Sequence, residues 1–181
     1  MSDVDFPAFS AKTTAQDAAS ALTEQIRGKT VLITGTSIGG IGFEAARVLA
    51  RYAGLVIISG YDRERLKLSA AAIEKEFPSA NIPIFTNMNQ KGQDKLDLIS
   101  MGALTAEGLP DETKFTWKTM AEGAATTIVA AFDPRLDSKS GAYLDDCVEA
   151  NEKVAPHTAN PDTASKLWEI AESIVGEKFA F

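Results

Sequence analysis

The chain has 181 residues and a formal net charge of −7, with 45% hydrophobic and 24% charged residues. That length can bury the core of one ordinary domain, and the balance is that of a globular protein. The acidity excludes a basic face for nucleic acid, and the longest apolar runs (Val31-Leu32-Ile33, Leu55-Val56-Ile57-Ile58) are too short to span a bilayer.

The N-terminus, Met1-Ser2-Asp3-Val4-Asp5, lacks the charged-then-apolar pattern of a secretory signal. Cys147 is the only cysteine and forms no internal disulfide, so a reducing cytoplasm is the expected location.

Residues 1–14 read as a polar leader. From Ala15 to Arg27, Ala18, Ala19, Leu22 and Ile26 recur at helical spacing. Gly28-Lys29 breaks that helix before Thr30-Val31-Leu32-Ile33-Thr34, a β-branched run suited to a buried parallel strand. A glycine cluster follows, and then a helical segment from Phe43 to Tyr52. Leu55–Ser59 is a second buried strand, and Arg63–Phe77 a second helix closed by Pro78. This alternation predicts a parallel sheet with covering helices.

Asn81-Ile82-Pro83-Ile84-Phe85-Thr86 reads as a third short strand, with Pro83 suited to an edge. Residues 88–116 carry Gly92, Gly102, Gly108 and Pro110 and read as an irregular lobe of loops around a short helix. Trp117–Phe132 is predicted helical, Gly141–Leu144 a last strand and Thr163–Val175 a final helix. Trp117 and Trp168, on predicted helices, are expected in the core.

The chemistry lies between the first strand and its helix. A strand running into closely spaced glycines and then a helix makes a seat for a diphosphate. Glycine allows close backbone approach, and the helix start offers free N–H groups at the positive end of its dipole. Thr34-Gly35-Thr36-Ser37-Ile38-Gly39-Gly40-Ile41-Gly42 stands in that place. It resembles the Thr-Gly-x-x-x-Gly-x-Gly loop of short-chain dehydrogenases/reductases, with the Gly-Ile-Gly end displaced by one residue.

The resemblance implies an α/β, Rossmann-like parallel sheet with helices on both faces. It also implies that Gly35, Ser37, Gly40, Ile41 and Gly42 line a cofactor's phosphates and adjoining ribose. At the end of the second strand stands Ser59-Gly60-Tyr61-Asp62-Arg63, with no acid directly on the strand end. Arg63 and Arg65 can meet a 2′-phosphate, which tilts the expectation to NADP over NAD, while Asp62 could serve the opposite role.

In this family a tyrosine transfers the hydroxyl proton and a lysine four residues later lowers its pKa, both on one helix face. Here the residues four after Tyr52, Tyr61 and Tyr143 are Val56, Arg65 and Cys147. No catalytic residue is therefore assigned. Residues 28–80 resemble the family's start. The stretch from Trp117 through Phe132-Asp133-Pro134 to Asp145-Asp146-Cys147 resembles the end of its retinol-dehydrogenase-like members. The expectation is a single, internally truncated dinucleotide-binding domain over 1–181, with reduced strand number. If the run at 81–88 replaces the family's third strand, Asn87 falls near the adenine. If it is the sixth, Thr86 falls at the nicotinamide end. Both mappings are open at this point.

Two functions follow. One is a dinucleotide-binding family member without the redox reaction. The other is an oxidoreductase, or a repurposed isomerase or cyclase acting on a small hydrophobic substrate, with an unrecognised centre. A sheet without its central strands exposes an apolar edge, so a homodimer or strand-exchanged oligomer is expected. His157, the only histidine, reads as a loop residue, and no ligand spacing suggests a metal. In Asp145-Asp146-Cys147, adjacent side chains diverge, which argues against a nucleophile.

Overall fold

A computed structural model describes residues 7–85, 105, 113 and 117–180. Helix α1, Ala15–Ala21, starts at a reciprocal cap. The Thr14 hydroxyl accepts the Asp17 N–H and the Asp17 carboxylate accepts the Thr14 N–H, each at 3.1 Å. The helix expected over 15–27 divides at Leu22, leaving a single-turn helix α2, Thr23–Ile26. The Thr23 hydroxyl donates to the carbonyls of Ala19 and Ser20 at 3.1 and 2.8 Å, a back-bonding that loosens the helical ladder.

Five elements then alternate: β1 Thr30–Thr34, α3 Ile41–Leu49, β2 Leu55–Ser59, α4 Arg63–Glu76 and β3 Ile84–Phe85. The strands form a parallel sheet of order β1-β2-β3, with Thr30 to Thr34 paired to Leu55 to Ser59 and Ile58 to Ile84. This is a Rossmann-like parallel sheet of reduced strand number. Because β3 lies beside β2, the run after Asn81 takes the third-strand place, since a sixth strand would lie beyond β1. Pro83 suits that edge: it has no N–H to leave unpaired, and its carbonyl accepts the Ile58 N–H at 3.0 Å.

Helix α5, Met120–Phe132, opens with a second reciprocal cap between Thr119 and Glu122. Its Ala124 and Ala125 share one fully buried cluster with Ala15, Ala18 and Ala19 of α1 and Ala45 and Ala46 of α3. Small side chains let the three helices, which contact one another, approach closely. The same cluster takes in Val56 and Ile58 from the sheet, with Val31 and Ile33 packed against it.

Helices α1, α3, α4 and α5 contribute buried residues to this core face of the sheet. On the other face Leu32 is 60% exposed. Among the described residues no strand pairs with β1 on its other side. Lys29 and Gly35 bond to β2, so the alternating amides of Thr30, Leu32 and Thr34 point outward, where no described strand meets them. A cleft of about 410 Å³ runs there between β1 and Thr127, Ala131 and Phe132 of α5.

After α5, a 3₁₀ turn at Pro134–Leu136 leads to a hairpin of β4 Leu144–Asp145 and β5 Val148–Glu149. The strand expected at 141–144 is displaced because Gly141 is a turn residue with φ +81°. The two-residue hairpin loop, Asp146-Cys147, has φ +53° and +67°, the primed geometry that matches strand twist.

A second 3₁₀ turn, Asn151–Lys153, precedes helix α6, Pro161–Val175, which the Asn160 side chain caps. Trp117 and Trp168 are not core residues, being 44% and 46% exposed. Trp117 precedes the α5 cap, and α6 packs along no element of the buried cluster. The irregular lobe expected at 88–116 lies outside the described residues except for Thr105 and Thr113.

Candidate functional site: the glycine turn

The turn is built from the end of β1. The Gly35 N–H donates to the Ser59 carbonyl at 2.8 Å, holding the turn against the end of β2. Gly35 and Gly39 have φ +68° and +81°, a left-handed backbone open to glycine at little cost. The Gly40 N–H closes the turn on the Ser37 carbonyl at 3.0 Å, and Gly40 is the extended residue before α3.

No side chain caps α3. This contrasts with α1, α4, α5 and α6, whose first turns are each satisfied by a Thr, Asp or Asn side chain. The first-turn N–H groups of α3 are thus left to an outside acceptor. Gly42 fixes how close strand and helix come. A Cβ there would stand 2.8 Å from the carbonyl oxygens of both Thr34 and Gly35.

Charge at this end is also managed. Glu44 in the first turn of α3 would repel an anion, but Arg47 grips it through two hydrogen bonds of 2.7 and 2.8 Å. The same guanidinium reaches Glu76 of α4 at 2.6 Å. Its proton is held more tightly than in free arginine, chiefly by the Glu44 bonds, against an opposing effect of burial.

At the end of β2, Asp62 is committed to the backbone. Its carboxylate accepts the N–H groups of Glu64 and Arg65, each at 3.0 Å, and lies 3.6 Å from the Arg65 guanidinium. A carboxylate so used is poorly placed to receive ribose hydroxyls. Arg63 is exposed and has no ion pair within 4 Å among the described residues.

The structure therefore gathers Gly35, Ser37, Gly40, Ile41 and Gly42 in one turn, and Arg63 follows the neighbouring strand. Thr86 and Asn87 lie outside the described residues. Two contributors were not singled out from sequence. Thr36 is fully buried and its hydroxyl reaches the Ser59 carbonyl at 3.4 Å. Arg47 was legible only as a Glu44–Arg47 pair at helical spacing.

The other sites considered resolve into structure. Asp145 is bonded to Lys153 at 2.6 Å and Asp146 to Lys118. The Cys147 N–H donates to the Thr126 hydroxyl at 3.2 Å. Burial pushes the Cys147 thiol up, away from the thiolate a nucleophile needs. His157 is exposed in a loop. No cluster of three or more His, Cys, Asp or Glu able to hold a metal occurs among the described residues.

No protein-family model matches the chain. It is 43% identical over 63 residues to the short-chain dehydrogenase/reductase prx1 of Penicillium rubens, covering 30% of this chain and 18% of that one. It is 42% identical over 60 residues to human retinol dehydrogenase 14, covering 33% and 17%. Over these stretches the chain is similar to a short-chain dehydrogenase/reductase and to a retinol dehydrogenase.

Oxidoreductase fscI of Fusarium equiseti is 40% identical over 77 residues, covering 42% of this chain and 30% of its own. The chain spans less than a third of each of these relatives. A solved short-chain dehydrogenase from Salmonella enterica aligns at 29% identity over 44% of this chain and 31% of that one, with a TM-score of 0.33, a superposition too loose to position any residue. No helix among the described residues is long and apolar enough to cross a membrane.

Proposed function

We propose that this chain is a dinucleotide-binding module of the short-chain dehydrogenase/reductase family that seats NADP(H) and lacks the family's proton-transfer centre. The observation that carries the reading is the uncapped start of α3 behind the glycine turn. Its first-turn N–H groups meet no side-chain cap, and Gly42 lets the helix start pack close against the end of β1. Gly35, Ser37, Gly40, Ile41 and Gly42 would surround the diphosphate, and Arg63 would meet the 2′-phosphate. Thr86 and Asn87 follow β3 directly and are further candidates for cofactor contact. The cofactor, when bound, supplies hydride chemistry; the chain supplies binding and orientation.

Asp62 supports NADP over NAD, because its carboxylate is already spent on the start of α4. The absent centre is supported by the sequence, in which no tyrosine precedes a lysine by four residues. The β1 edge that no described strand pairs, with its cleft, supports an internally truncated single domain, with the space beside β1 left by missing strands. We place the chain in the cytoplasm, where the thiol of Cys147 stays reduced, and as a homodimer, since an uncovered parallel edge is exposed to association.

Calorimetric titration with NADP(H) and NAD(H), followed by nicotinamide turnover with a panel of carbonyl compounds, tests the reading. It predicts binding, tighter for NADP(H), without turnover. Robust turnover would remove the non-catalytic assignment, and no binding of either dinucleotide would remove the seat.

A further inference from the structure

The glycine inside α5 is explained by a residue of α3. Gly123 is the fourth residue of α5, and its N–H donates to the Thr119 carbonyl at 2.8 Å in an ordinary helical bond. Its φ is not positive, so the backbone there does not require glycine. Glycine is a poor helix former and alanine the best, so the local sequence preference runs against it. Among the described residues, a Cβ at Gly123 would meet Ile41 alone, with Cδ1 and Cγ1 at 3.3 and 3.4 Å. Ile41 is the first residue of α3, where the helix start has no side-chain cap.

We infer that Gly123 is a positioning residue for the dinucleotide seat. Its bare Cα lets the Ile41 side chain lie against α5, which fixes where the start of α3 presents its N–H groups. The role rests on the glycine turn being that seat.

An added methyl at Gly123 would displace Ile41 rather than α5. Ala124 and Ala125 are fully buried in the cluster with the alanines of α1 and α3, so α5 has no room to back away. The hairpin holds α5 as well, since the Thr126 hydroxyl accepts the Cys147 N–H at 3.2 Å and Lys118 pairs with Asp146. Ile41 is 48% exposed and stands at a helix end, so it yields first.

How it yields matters to the seat. Isoleucine is β-branched, and a helix holds its χ1 in one strongly preferred rotamer, so Cγ1 does not turn aside cheaply. A shift of a few tenths of an ångström therefore passes to the Ile41 backbone. The next residue leaves no slack, because Gly42 packs so near β1 that a Cβ would stand 2.8 Å from two carbonyl oxygens. Two close approaches thus set the helix start: Gly42 on Thr34 and Gly35, and Gly123 on Ile41.

Calorimetric titration of the full chain with NADPH, in a double-mutant cycle of Gly123→Ala and Ile41→Ala, tests the role. Alanine favours the helix, so Gly123→Ala keeps or raises the melting temperature while binding NADPH about fivefold more weakly. A glycine that served packing alone would not separate stability from affinity in this way. In the Ile41→Ala background both contacting carbons are gone, and adding Gly123→Ala leaves affinity at the value of Ile41→Ala alone. Gly123→Ala binding as tightly as wild type, or costing the same factor with and without the Ile41 side chain, would overturn the positioning role while the seat stands. A wild type that binds no NADPH would remove the seat and this role together.

Discussion

The backbone N–H of Gly35 donates to the carbonyl of Ser59 at 2.8 Å, so the glycine turn is anchored to the end of the neighbouring strand. This bond brings the two loops that follow β1 and β2 side by side. The loop after β1 offers an uncapped helix start, and the loop after β2 offers Arg63. An anion and a second phosphate some distance along the same ligand are what that pair can hold.

Gly42→Ala is expected to disrupt the seat. The added methyl would stand 2.8 Å from two backbone carbonyl oxygens, which cannot swing aside like the end of a side chain. Strand and helix must separate, costing about 1–3 kcal/mol of stability and the affinity for NADP(H). Thermal melting and calorimetric titration of the variant check both effects.

Arg63→Ala should lower NADP(H) affinity roughly tenfold, about 1.4 kcal/mol, and leave NAD(H) affinity unchanged. Asp62→Ala should cost about 1 kcal/mol of stability through the lost helix cap without improving NAD(H) binding. Parallel titrations with the two cofactors distinguish these outcomes.

Much of this arrangement was legible in the chain. Thr30–Thr34 and Leu55–Ser59 fall where their β-branched runs put them, and the glycines announced the turn because left-handed backbone and close approach favour that residue. The position of β3 was not legible, since Ile84-Phe85 suits a third or a sixth strand and only pairing with Ile58 decides. The break at Leu22 was hidden because Thr23 acts through hydrogen bonds that apolar periodicity does not show. Trp168 misled for a related reason. Its spacing marks an apolar face but does not say whether anything packs on it, and here its indole serves Glu172.

Arg47→Met is expected to weaken NADP(H) binding several-fold by freeing the Glu44 carboxylate beside the anion seat. Adding Glu44→Gln should restore affinity, because the repulsive charge is then gone. Failure of the double variant to recover would show that Arg47 acts only through packing of α3 on α4.

Asp133 provides a pH test of the core. Burial raises its carboxyl, but hydrogen bonds from the Arg135 guanidinium and backbone outweigh that and hold it below the ordinary aspartate value. A carboxyl depressed on folding contributes stability above its unfolded pKa and loses it as pH falls through the folded value. Melting temperature should therefore fall more steeply below about pH 4 in the wild type than in Asp133→Asn. Equal slopes would remove Asp133 from the acid transition.

The central claim, a backbone seat for a diphosphate at the start of α3, is tested most directly by amide-resolved NMR during titration with NADP⁺. The account predicts that the largest saturable shifts fall on the N–H groups of Gly35, Ser37, Gly40, Ile41 and Gly42, with a second group at Arg63. Saturation that leaves those amides unmoved, or shifts clustered elsewhere in the fold, would contradict it.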